Sequence, residues 1–283
     1  MTLKQQAGDW IRSVAYAHVG KNIRRFTWST WTGETHHNSL GGVSYLTPKE
    51  GKVVDANETF TLVKVALSEF CVIATHLLDQ SVSIGDKIAL SFYQLRRFDG
   101  SLADGSGDPS NGGSRTFMLT GANTQFPVKW EARYLGINER FAEQYTPIGN
   151  PSLRDLIDQM ERLPVDGGIR CAVNVLVDAG ATDLSFNDPR EEDSSISPPA
   201  IRCQVNTGKH RGGVEIGYDR ASDTYFVETK ANDATVDRRE NVYFDELGAT
   251  LIDLIDDRSW IQAKVTVLKP APKKRTAATA ETA

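Results

Sequence analysis

Two stretches of the chain mix cations with aromatic rings. Residues 21–37, KNIRRFTWSTWTGETHH, set Lys21, Arg24 and Arg25 ahead of Phe26, Trp28 and Trp31, and residues 90–98, LSFYQLRRF, place Phe92 and Tyr93 beside Arg96, Arg97 and Phe98. Extended backbone sends alternate side chains to opposite faces, so Phe26, Trp28 and Thr30 share one face while Arg25, Thr27 and Ser29 share the other. Single-stranded nucleic acid is bound by this mixture, because cations track phosphates while ring faces stack on bases for about 1–3 kcal/mol each. The same alternation describes a half-buried strand whose aromatics fill a core. A third stretch, residues 212–231, carries the triplet Glu228-Thr229-Lys230 on a strand that follows another bearing Glu215 and Asp219. Glu228 and Lys230 share a strand face, so two carboxylates could hold Mg²⁺ while the ammonium activates water or steadies charge on a phosphate.

In this respect the hairpin resembles the PD-(D/E)xK nuclease superfamily. The resemblance implies a metal-dependent nuclease or phosphodiesterase with Mg²⁺ as cofactor, Glu228 and Lys230 as its E and K, and Glu215 or Asp219 as the leading acid. It spans about 20 of the 283 residues, and Gly217 stands where many members have an aspartate. No Pro-Asp pair precedes the strand, and E-x-K strand ends also occur simply hydrated on solvent faces.

Other constellations point to no chemistry. Asp99, Asp104 and Asp108 lack EF-hand spacing. His36 and His37 are adjacent and diverge on a strand, and His18, His76 and His210 are isolated. Thr207-Gly208-Lys209-His210 has no glycine at the spacing of a phosphate-binding loop and no hydroxyl after the lysine. Gly-x-Gly-x-x-Gly opening a helix and Gly-x-Ser-x-Gly are both missing, which disfavours Rossmann dehydrogenases and α/β-hydrolases. Cys71, Cys171 and Cys203 form an odd, dispersed set, so neither a disulfide framework nor a cysteine-rich zinc site is expected.

The elements that must position these residues are legible as patterns. Trp10, Ile11, Val14 and His18 recur at helical spacing, predicting a helix over 3–19 with Gly20 as a left-handed cap. From about residue 43 to 135 short β-branched and aromatic runs follow one another: 60–67, 70–78, 87–95, 115–120 and 128–135. The stretch 98–115, with five glycines, reads as a surface loop. Asn150 and Pro151 open a helix over 150–163 whose stripe is Leu153, Leu156, Ile157, Met160 and Leu163. Strands are expected at 169–179 and 201–205, a hairpin at 213–218 and 224–230, a helix across 243–258 and a strand at 260–268. Residues 185–199 read as a polar loop and 270–283 as a disordered tail in which Lys273, Lys274 and Arg275 add weak attraction for anions.

The expected class is α+β: a β-rich, barrel- or sandwich-like N-terminal module with its helix over 1–149, then a mixed α+β part over 150–269. Composition is ordinary for a globular chain, with 40% hydrophobic and 24% charged residues. No apolar run approaches the ~20 residues of a membrane helix, and the opening lacks a secretory pattern, so a cytoplasmic protein without membrane contact is expected. The net charge of −5 is uneven: residues 1–98 hold 11 basic and 8 acidic groups, and residues 151–200 hold 4 and 10. Local basic faces can therefore exist on an acidic chain. The leading expectation is a non-enzymatic binding protein without a cofactor. In it Arg24, Arg25, Arg96 and Arg97 meet phosphate or acidic groups, and Trp28, Trp31 and Tyr93 stack on single-stranded nucleic acid or anchor a protein partner. The rivals are the Mg²⁺-dependent nuclease and a structural or assembly protein whose aromatics fill its core.

Overall fold

The computed structural model describes residues 1–34, 43, 45–103, 124–128 and 147–272. The expected strand at 115–120, all but Val128 of the one at 128–135, His36 and His37, Asp104 and Asp108, and the tail cations lie outside those residues. The architecture is α+β, and no helix among the described residues is long and apolar enough to cross a membrane. The chain forms two compact units, one from the described parts of Met1–Glu34, Ser44–Tyr93 and Trp260–Ala283, the other from the described parts of Thr35–Val43 and Gln94–Ser259.

The first unit opens with α1 (Leu3–Val14), started by a capping box in which Thr2 Oγ1 accepts from Gln5 N and Gln5 Oε1 accepts from Thr2 N. Its buried stripe, Ala7 and Ile11, packs on Phe60, Leu62, Phe70 and Val72, each large side chain contributing about 1.5–3 kcal/mol. The α-helix is shorter than its periodicity predicts and does not end on a left-handed Gly20. A 3-10 turn, Ala15–His18, continues it, because tertiary partners hold that turn: His18 Nε2 lies 3.2 Å from Asp55 Oδ2, and Lys64 Nζ donates to His18 O at 2.6 Å.

The strands are β1 (Thr27–Trp31), β2 (Lys49–Ala56), β3 (Phe60–Ala66), β4 (Glu69–Ala74) and β5 (Lys87–Ser91), joined by a strand from the end of the chain. Their pairing order is β1-β4-β3-β2-β5 with that last strand, Lys264–Lys269, beside β5. β1 runs parallel to β4 in the register Trp28↔Phe70 and Trp31↔Ile73, and it has no partner on its other side among the described residues.

The second unit is a sheet covered on one face by helices. α2 (Pro151–Arg162) begins as its sequence predicts, with Asn150 Oδ1 accepting from Ser152 N and Leu153 N. A two-stranded ribbon, β6 (Pro164–Val165) and β7 (Arg170–Cys171), leads into α3 (Ala172–Asp178). The apolar run 169–179 was expected as a strand and is mostly helix. A short, valine-rich buried run leaves the two states poorly separated, and Asn174 favours the helix by accepting from Cys171 N at its start. Five antiparallel strands follow: β8 (Thr182–Asn187), β9 (Ala200–Asn206), β10 (Arg211–Asp219), β11 (Thr224–Ala231) and β12 (Ala234–Val242), in the order β12-β11-β10-β9-β8. α4 (Leu247–Ile255) closes the unit, and the strand Lys264–Lys269 becomes β13. Ile201, Cys203, Val214, Ile216 and Val227 face Leu156, Ile157 and Met160 of α2 and Leu251 and Ile255 of α4 in one core.

Candidate nucleic-acid interface

In the first unit the extended segment before β1 lies against the end of α1. Phe26 contacts Phe70 below it (centroids 5.9 Å, edge to face), Tyr16 on one side (5.2 Å) and Trp28 on the other (5.6 Å). Phe26 is half-buried, while Tyr16 is 58% and Trp28 37% exposed, so the three rings form a ladder rooted in the core and open to solvent. Such geometry keeps large rings ordered at an aqueous surface.

One cation lies on that ladder and three more precede it closely in the chain. The Arg12 guanidinium sits 5.4 Å from the Trp28 ring centroid and also pairs with Asp9 at 3.0 Å. Arg24 and Arg25 are exposed and directly precede Phe26, and Lys21 lies just before them. Among the described residues no hydrogen bond or ion pair holds the side chains of Lys4, Lys21, Arg24 or Arg25. Residues 1–25 contain five Lys and Arg and a single acid, Asp9. Sequence reasoning passed over Arg12 on the first helix and Tyr16 in the 3-10 turn that follows it; for Arg12 that charge imbalance was the signal that could have found it.

The other predicted contact residues go elsewhere. Trp31 is 2% exposed: its indole N–H donates to Ile261 O at 2.7 Å and its ring meets Phe92 at 5.5 Å. Tyr93 is 8% exposed, with its ring 4.7 Å from Trp260. Rings sealed in this way pack a core and offer no face to a base. Arg96 and Arg97 belong to the second unit, where they brace a turn: Arg96 Nη1 donates to Gly100 O and Arg97 Nη2 to Ala103 O. The run LSFYQLRRF is thus divided between the units after Tyr93.

The E-x-K hairpin does assemble part of its constellation. Glu215 and Glu228 are cross-strand partners, flanked by Arg202 on β9 and Arg238 on β12, so one row across the sheet reads Arg, Glu, Glu, Arg. Lys230 Nζ donates to Glu215 Oε2 at 2.8 Å and lies 3.4 Å from Glu228 Oε1. Arg202 takes the other Glu215 oxygen, and Arg238 and Thr235 take both oxygens of Glu228. Burial pushes both carboxyls up, but the hydrogen bonds from Arg202 and Lys230, and from Thr235 and Arg238, outweigh it and hold both below the usual carboxylate value. Lys230 is raised, chiefly by its bond to Glu215. All four oxygens are engaged, so a metal would have to displace a cation or hydroxyl to reach them. Asp219 stands apart and accepts from Ala221 N in the hairpin turn. Gly217 has its own cause: a Cβ there would lie 2.2 Å from Cζ of Phe226, whose ring crosses the glycine. No group of three or more His, Cys, Asp or Glu among the described residues is placed to hold a metal.

Compared with known proteins, the chain matches no protein-family model, no curated protein and no solved structure.

Proposed function

We propose that the protein is a non-enzymatic binding protein that holds single-stranded nucleic acid on the Tyr16–Phe26–Trp28 ladder of its first unit. The observation that carries this reading is the pairing of exposed, core-anchored rings with side chains of Lys21, Arg24 and Arg25 that are free among the described residues. Bases stack on Trp28 and Tyr16 while the guanidinium groups follow the phosphates. A barrel-like curl of the first sheet goes with this reading, supported by backbone bonds from Ala263 N to Leu77 O and from Asp79 N to Ala263 O, which tie the end of β4 to the start of β13 across the pairing order. Small curled sheets are established platforms for oligonucleotides.

The test is fluorescence anisotropy of a labelled oligothymidylate against salt. Engagement of Arg12, Lys21, Arg24 and Arg25 gives a log–log slope of about −3, and Arg24→Ala with Arg25→Ala lowers its magnitude by about 1.4. Trp28→Ala weakens binding by about 1–3 kcal/mol with little change in slope. Oligonucleotide left free at low salt, or affinity untouched by the double substitution in a folded protein, overturns the reading. Capture of an acidic protein in place of the oligonucleotide does the same.

The Mg²⁺-dependent nuclease is retained as a second reading because Glu215, Glu228 and Lys230 converge on one sheet face.

A further inference from the structure

Beside Trp28 the first unit opens into a cleft of about 550 Å³ between α1 and β1, lined among others by Lys4, Gly8, Asp9, Arg12, Trp28 and Thr30. That volume suits a small organic ligand. Its lining combines one indole ring with two cations and one carboxylate. Its floor has an unexpected residue. Gly8 lies in the middle of α1, where glycine costs about 1 kcal/mol relative to alanine. Packing does not require it: a Cβ at that position would meet only Arg12 Nη1, at an ordinary 3.7 Å. The absent side chain leaves that part of the cleft lining open beside Arg12.

We infer that this cleft takes a single nucleoside phosphate, with its base stacked on Trp28 and its phosphate held by Lys4 and Arg12. The inference rests on the nucleic-acid reading of the adjoining ladder and adds a bounded site to it. Arg12 now covers the Trp28 ring, held by that cation–π contact and by an exposed pair with Asp9, both side chains about 60% accessible; an exposed cation–π contact contributes about 0.5–1 kcal/mol and is replaced by the stacking of the base. Such a pair contributes at most about 1 kcal/mol, so an incoming base displaces the guanidinium at little cost. The freed guanidinium and the Lys4 ammonium, which has no side-chain partner among the described residues, then meet the phosphate. The ligand chemistry is the same for a free nucleotide and for the 5′-terminal nucleotide of a bound strand.

The experiment titrates the full-length protein with AMP and with adenosine, following tryptophan fluorescence. The expected result is saturable quenching by AMP, roughly tenfold or more weaker binding of adenosine, and loss of the AMP signal in Trp28→Phe. Gly8→Leu, which fills the floor, and Lys4→Glu, a surface change that keeps the fold, each weaken AMP at least about fivefold. A 5′-phosphorylated oligothymidylate that outcompetes its 5′-hydroxyl form assigns the cleft to strand ends, and equal competition by the two assigns it to free nucleotide. AMP that fails to quench, or that binds both variants like the native protein, overturns the cleft while oligonucleotide retention upholds the ladder. Oligonucleotide that is not retained by the native protein overturns the ladder itself.

Discussion

Replacing Arg170 with leucine strands three carboxylates at once. The Arg170 side chain is fully buried in the second unit, with Nε on Asp166 at 2.7 Å, Nη1 on Asp178 at 2.9 Å and Nη2 on Asp256. Asp178 ends α3 and Asp256 follows α4, so both carboxylates lie at helix C-termini where the backbone dipole disfavours negative charge. Burial alone would push the guanidinium down, but the carboxylates, Asp178 and Asp256 foremost, keep it raised. Removing one partner of a buried pair costs about 3–5 kcal/mol, against about 5–15 kcal/mol for a whole domain. With a urea slope of about 2 kcal/mol/M, the unfolding midpoint of the second unit drops by about 1.5–2.5 M, read by circular dichroism at neutral pH. Arg170→Lys loses less, since it restores a charge but not the three-way fork. A midpoint within about 0.5 M of native refutes this account of the second unit's core.

Three further expectations follow from the same structure. Glu215 and Glu228 hold protons less readily folded than unfolded; their stabilisation is complete above the ordinary value of 4.5 and disappears as pH falls through their lower folded values. Glu215→Gln should therefore flatten the acid side of the stability profile below the ordinary value of 4.5, and an unchanged profile counts against the row of charges. Gly217→Ala drives a methyl into the Phe226 ring and should lower stability by about 1–3 kcal/mol, with recovery in the Phe226→Leu background. Single-stranded DNA incubated with the protein and Mg²⁺ or Mn²⁺ should stay intact on a sequencing gel; cleavage that vanishes in Lys230→Ala would instead make the hairpin a catalytic site.

How far the sequence reaches differs from residue to residue. Helix α2 was readable because its signals are local: an N-cap, a proline and a stripe within 14 residues. The hairpin of β10 and β11 was readable for the same reason, as was the sharing of one face by Glu228 and Lys230. Helix α3 was not, since its seven residues are too few, and its valines too β-prone, for the spacing of Asn174 and Asp178 to mark a helix. β12 escaped notice because its exposed, charged residues mimic a loop, and it is a strand by virtue of pairing with β11.

The candidate interface shows the same division. Alternation along residues 26–31 separates two faces, and the local count of charges marks the first 25 residues as basic; both follow from the sequence alone. Which indole faces solvent does not. Trp31 is buried because it reaches Ile261, 230 positions away, and Trp28 stays accessible because β1 is an edge strand whose near face meets α1 at a cleft with glycine in its floor. Composition, helix caps and strand periodicity are properties of neighbouring residues and are written in the chain, whereas burial depends on what distant segments bring to each face, and only the tertiary structure sets that.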